Sequence, residues 1–299
     1  MKKNKKIVIC IAVALAAVCA GIIFFPVLSV HSDEKANRLI WDVAESWNDE
    51  GRAFFKISFR CVDPRRKVTK VVESYDDNGN VDLQVTTRGL PHFASYEEAP
   101  YRIHIPDLPE NDSDETYPEI KKVVLESENG SLVLWEENVI VDRLTAEMFA
   151  IATNDKVMLD SRIDALLTCF GVDGWAPQQK NTDGSYPPGF GSSLIETDAG
   201  YKLTVSINGD VVLYEKPDAL KELQKYSCIL IALIDDLEEV HWEYSFNGKT
   251  ETLRFETSDA AALLGPENGG RQIKEYGRTA GGLQRVMNAI DFFPSVFIG

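Results

Sequence analysis

Four histidines, His31, His92, His104 and His241, are all the imidazole that this 299-residue chain offers to acid–base or metal chemistry, and no two of them stand at ligand spacing. His104 alternates with Ile103 and Ile105, and His241 with Val240 and Trp242, so each is expected on the polar face of a strand. The chain holds no HisGluXaaXaaHis pair and no GlyXaaSerXaaGly elbow. Gly248-Lys249-Thr250 is no phosphate loop, because Glu243 stands where its first glycine belongs, and Gly189-Phe190-Gly191 is too short to signal one. Asp76, Asn78, Asn80 and Asp82 place oxygen ligands at alternate positions, as the first half of a calcium loop does. Val81, however, replaces the glycine that bends such a loop, and Thr87 replaces the bidentate glutamate that closes it. A hairpin turn is the expectation there. The sequence therefore assigns no catalytic residue, no cofactor and no metal ligand.

Of five cysteines, Cys10 and Cys19 lie in an apolar N-terminal run, leaving Cys61, Cys169 and Cys228. Three cannot all pair. Cys169 and Cys228 stand in apolar helical stretches, which predicts buried free thiols, with a Cys169–Cys228 bridge as the alternative.

The elements that would position any site are organised around residues 219–255. Leu220, Leu223, Ile229, Leu230, Leu233, Ile234 and Leu237 leave only a narrow polar stripe, which predicts a core helix over 219–239. Asn247-Gly248 then marks a two-residue hairpin turn. Pairing across it sets Val240, Trp242, Tyr244 and Phe246 opposite Phe255, Leu253, Glu251 and Lys249. His241 thereby falls opposite Arg254 on the other face. A second hairpin is expected from 194–197 and 201–207, turning at Asp198-Ala199-Gly200, and a helix through Met158, Ile163, Leu166 and Phe170 ends at Gly171. Ser258 is the expected cap of a helix that stops at Gly265, and a last helix carries Leu283, Val286, Met287 and Ile290.

Upstream, β-branched or alternating runs at 54–62, 67–74, 81–87, 101–105, 122–127 and 131–136 predict strands, read as one antiparallel sheet. Leu39, Ile40, Val43 and Trp47 have helical spacing, which predicts a helix over 36–47. Residues 107–119, acidic and proline-containing, read as an exposed loop; 175–192, with Trp175, Tyr186 and Phe190, reads as a long aromatic loop. The change in texture near Val141 to Leu144 divides the chain into 31–143, a β-rich domain, and 144–299, an α+β domain.

Residues 1–30 are expected to be a cytoplasmic tip and transmembrane anchor. Lys2, Lys3, Lys5 and Lys6 precede twenty-four uncharged residues, Ile7 to Val30, long enough to cross a bilayer. Asp33 and Glu34 follow, so the positive-inside rule leaves the N-terminus in the cytoplasm and the body outside it. Secretion after cleavage near Val30-His31-Ser32 is the alternative. The formal charge of −16 understates the acidity of the body, which carries 27 basic against 47 acidic residues once the four lysines are set aside. Such a surface repels nucleic acid and anionic lipid.

The second half also resembles an uncharacterised domain family of membrane-anchored bacterial extracytoplasmic proteins, sometimes attached to antirepressor-type membrane metallopeptidases. Thr153-Asn154-Asp155-Lys156-Val157 resembles that family's polar turn before its first helix, and residues 201–208 resemble the following strand. Residues 232–240 with His241-Trp242-Glu243-Tyr244 are the most specific piece, and Glu275-Tyr276-Gly277 is similar to the C-terminal region. The glycine usual in the first turn is missing, and the first half has no counterpart. The resemblance implies an extracytoplasmic sensory or binding role and carries no catalytic residues. The expectation is thus a single-pass anchored binding or sensory protein with an envelope or protein partner; the alternative is an extracytoplasmic hydrolase with a non-standard carboxylate site. The expected fold class is α+β: an N-terminal transmembrane helix, a β-rich first domain, and a second domain of antiparallel hairpins packed on helices.

Overall fold

The computed structural model describes residues 30–31, 39–47, 53–89, 101–105, 119–126, 131–176, 188–212, 216–265 and 272–292, and these form an α+β protein of two compact units that divide between Leu134 and Trp135. The strands are β1 (Val30–His31), β2 (Leu39–Trp47), β3 (Ala53–Cys61), β4 (Arg66–Tyr75), β5 (Asn80–Gly89), β6 (Tyr101–Ile105), β7 (Lys122–Glu126), β8 (Leu132–Glu136) and β9 (Val139–Ile140). In the first unit β2, β3 and β6 make an antiparallel sheet in that order, burying Leu39, Val43, Phe55, Ile57, Phe59 and Ile105. In a second sheet β5 takes β4 on one side and β1 and β7 on the other, with Val81, Leu83 and Val85 buried. Val123, Val124 and Leu125 of β7 are consecutive buried residues, the pattern of a strand covered on both faces.

Two expectations for this half are corrected. Residues 39–47 are a strand and not a helix, paired with β3 along their whole length from Leu39↔Cys61 to Trp47↔Ala53. A spacing of four fits two strand repeats as well as one helical turn, and the partner strand decides between them: Leu39 and Val43 are buried while Ile40 is 51% exposed. Nor is the half one antiparallel sheet. The chain leaves β5 for β6 in the other sheet and returns, so β7 lies parallel to β5.

The second unit holds α1 (Arg143–Ala152), α2 (Leu159–Cys169), β10 (Phe190–Thr197), β11 (Gly200–Asp210), α3 (Lys216–Leu233), β12 (Leu237–Phe246), β13 (Lys249–Glu256), α4 (Thr257–Leu264), α5 (Ile273–Tyr276) and α6 (Ala280–Ala289). Its sheet runs β10-β11-β12-β13. Each hairpin is antiparallel as expected, but β11 and β12 pair in parallel, because α3 carries the chain back across the sheet before β12 begins. One face of the sheet, with Leu203, Val205, Ile207, Val240, Trp242, Tyr244 and Phe255, shares a single buried core with α3 and with residues of α1, α2 and α6.

The helix expected over 219–239 ends earlier. Asp236 takes a positive φ of 58°, and Leu237, counted with the helix by its spacing, is the first residue of β12. Lys274 holds this turn, its Nζ donating to the carbonyls of Ile234 at 2.8 Å and Leu237 at 2.6 Å. Glu256 and Asp259 cap α4 reciprocally in place of Ser258. The unit division also precedes the Val141–Leu144 stretch. Glu136 reaches α6, where its carboxylate accepts from the N–H groups of Ala280 at 2.8 Å and Gly281 at 3.4 Å, so the β8–β9 turn belongs to the second unit.

Candidate functional site

The sheet of the second unit turns its other face away from the helices, and that face is polar apart from Ile195 and Gly191. Alternation along each strand and the register across strands set Ser193, Thr204, His241 and Arg254 side by side in one row. Flanking rows carry Ile195, Lys202, Glu239 and Glu256, and Gly191, Ser206, Glu243 and Thr252. Glu239 lies 2.6 Å from Lys202 and 2.8 Å from Arg254, and Arg254 also reaches Glu256 at 2.7 Å. Burial works to raise the Glu239 carboxyl, but the hydrogen bonds from Lys202 and Arg254 outweigh it and hold the group below its ordinary range. Ser206 Oγ donates to Glu243 at 2.9 Å. At the centre, the His241 side chain makes no hydrogen bond or ion pair among the described residues. An imidazole, a guanidinium and four hydroxyls set in rows can offer both donors and acceptors to a polar ligand. Thr204 is the hydroxyl neighbour of His241 across the β11–β12 register, and no hydrogen bond joins the two side chains among the described residues.

The other sequence candidates are placed elsewhere. Asp76 begins the β4–β5 turn, and its carboxylate accepts from the N–H groups of Asn78 and Asn80 at 2.8 Å each and from Asn80 Nδ2 at 2.7 Å. Those bonds, the Asn80 amide first, hold the carboxyl below its usual range. Asp82 behaves oppositely, raised by burial and then by Glu126 and Asp76. His104 lies on an exposed position of β6 opposite Lys56. His31 sits in β1, and His92 lies outside the described residues. Among the described residues no cluster of His, Cys, Asp and Glu is arranged to hold a metal ion. Trp175 and Phe190 are buried in the core, whereas residues 177–187 and 106–118, which carry most of the two long loops, lie outside the described residues.

Cys169 and Cys228 are separate thiols and form no bridge with each other. Burial pushes the Cys228 thiol up to about 12; burial, and then Glu147, push Cys169 up to about 11. Both remain neutral thiols in the folded chain near neutral pH. In the unfolded chain each ionises near 9.0, so its contribution to stability is full below that pH and is lost as the pH rises toward the folded values. Denaturant melts are expected to show stability falling above pH 9.0, and replacing both cysteines by alanine should flatten that slope. The same slope in the double variant would refute the assignment.

Sequence reasoning missed three side chains that join distant segments. Lys274 is pushed below its ordinary value by burial, while Glu238, Asp235 and Asp236 act the other way. Gln284, 6% exposed, accepts from the Asp142 N–H at 2.8 Å and donates to the Asp142 carboxylate at 2.9 Å, while Glu136 holds the start of α6. Their partners lie tens to more than a hundred residues away, and no local pattern announces such pairs.

No family model matches the chain, and no curated protein and no solved structure matches it.

Proposed function

We propose that this chain is a single-pass, membrane-anchored extracytoplasmic binding or sensory protein whose second unit presents the polar sheet face around His241 to a ligand or envelope partner. The observation that carries the reading is the uncharged run that begins at Ile7 behind four lysines: its expected last residue, Val30, belongs to β1 instead, and the stretch up to Ser29 makes about 35 Å of helix at 1.5 Å per residue, against a hydrocarbon core of about 30 Å. Among the described residues no helix is long and apolar enough to cross a membrane, and the run itself, up to Ser29, lies outside them. The resemblance of residues 153–157, 201–208, 232–244 and 275–277 to membrane-anchored extracytoplasmic proteins supports the same location. The polar sheet face, whose His241 side chain has no hydrogen-bond partner among the described residues, supports a surface that takes a polar ligand.

External protease added to intact spheroplasts is expected to digest the body and leave a short membrane fragment. Full protection of the body would overturn the topology and the sensory reading together. The full-length chain in detergent micelles, screened against envelope glycans, peptides and lipids, should show a ligand-induced rise in Tm that His241→Ala weakens. Reproducible hydrolysis of any of these, abolished by a single acidic substitution, would replace binding by the hydrolase reading.

A further inference from the structure

Gly248 offers an amide that its hairpin leaves without a use. In a two-residue turn the ladder closes through the residues on either side, here Phe246 and Lys249, and the second turn residue points its N–H outward. Asn247 and Gly248 take φ values of 52° and 71°, both are exposed, and the turn is of the mirror-image kind that hairpins favour. The outward N–H is nevertheless bound. Both carboxylate oxygens of Asp210 lie 3.0 Å from Gly248 N. Asp210 arrives there because the β11–β12 register shifts after Ser206, which sets Asp210 beside Ser245, and the next N–H, of Val211, donates to the Ser245 carbonyl at 2.8 Å.

The dipeptide Asn-Gly is the one most open to deamidation, because glycine puts no side chain in the way of its own nitrogen. We propose that Asn247 is a deamidation site and that Asp210 holds it in check. In the reaction solvent base removes the Gly248 N–H proton, and the nitrogen attacks Asn247 Cγ. The new N–Cγ bond forms as the Cγ–Nδ2 bond breaks, and ammonia leaves with a proton. The resulting succinimide is opened by water at either carbonyl, giving aspartate or isoaspartate, and no oxidant or reductant takes part. A carboxylate bound to that N–H opposes the first step twice. Its negative charge disfavours loss of the proton, and its grip keeps the turn from swinging the nitrogen toward Cγ. Isoaspartate adds a methylene to the main chain at the turn, which a two-residue hairpin between β12 and β13 cannot absorb, so the guard also protects the register of the polar face.

The sequence supplies an internal reference. Asn78-Gly79 lies in the first unit, where the Gly79 N–H donates to the Asp76 carbonyl at 3.2 Å. The full-length chain, the Asp210→Ala variant and the Asp210→Asn variant would be aged in detergent at mildly alkaline pH, and deamidation at Asn247 and Asn78 read by peptide mass mapping. Loss of a charge-assisted hydrogen bond at the turn is expected to speed reaction at Asn247 about fivefold in Asp210→Ala, with Asp210→Asn between it and the natural chain and Asn78 unchanged in all three. An unchanged rate at Asn247 would overturn the proposal. So would a slower one, which would make Asp210 a base that promotes attack, and so would equal acceleration at both asparagines, which would make general loosening the cause.

Discussion

Gly277→Ala is expected to lower the stability of the second unit by about 3 kcal/mol or more, the upper range of overpacking penalties. A β-carbon at this position would fall 1.8 Å from the carbonyl oxygen of Ala232 and 2.4 Å from its carbonyl carbon. Neither atom belongs to a flexible side chain. Ala232 is the second-last residue of α3, so the clash can be relieved only by moving the end of the core helix or the segment that links α5 to α6. The backbone at Gly277 has an ordinary φ of −74°, so the effect is steric and owes nothing to the freedom of glycine in the left-handed region. Moving this segment would also pull on Lys274, three residues upstream, which holds the turn into β12. Urea melts of the full-length chain followed by circular dichroism give the measurement. A loss below about 1 kcal/mol would show that the helix end yields easily and that the close approach is not a constraint.

Trp242→Ala should cost about 3–5 kcal/mol, while its neighbour His241→Ala stays within about 0.5 kcal/mol. The two residues are adjacent in β12 and face opposite ways. Trp242 has no exposed surface, and its indole N–H donates to Ser227 Oγ at 2.8 Å, whose hydroxyl in turn donates to the Leu223 carbonyl at 2.7 Å. Truncation therefore opens a cavity between sheet and helix and leaves a buried hydroxyl without its donor. Its ring packs near Tyr226, which stacks on Phe170 with centroids 4.7 Å apart, so the loss reaches the aromatic centre of the core. His241 lies on the polar face and gives up no hydrogen bond among the described residues. Similar small effects at both positions would mean that the faces of β12 are assigned the wrong way round.

The contrast between these neighbours was legible in the sequence, and so was much of the fold. Asn247-Gly248 fixed the β12–β13 register, and each expected pair from Val240↔Phe255 to Phe246↔Lys249 is observed, because a two-residue turn leaves no freedom in the count. The β-branched runs of the first half also mark strands β3 to β8 to within a residue or two. Misreadings arose where one pattern fits two periods, as at Leu39 and Val43, or where a helical stripe runs on into a strand, as at Leu237. The candidate site was legible only in its parts. His241 was expected on a polar face opposite Arg254, but the row it forms with Ser193 and Thr204 depends on how two hairpins are joined.

Alternation, turn residues and charge distribution act over a few positions, and they determined by themselves the strands β3 to β8, the core helix, both hairpins of the second unit and the acidic character of the body. Tertiary structure decided what depends on partners far along the chain. The parallel pairings β5–β7 and β11–β12 follow from where the chain travels between strands, and an antiparallel neighbour would have used the same residues. Glu136 at α6, Gln284 at Asp142, Lys274 at the end of α3 and Gly277 against Ala232 are each local contacts between segments far apart in the chain. A glutamate, a glutamine, a lysine or a glycine looks like surface or linker until the other segment arrives, because what fixes its role is the unsatisfied backbone group or the missing volume on the opposite side.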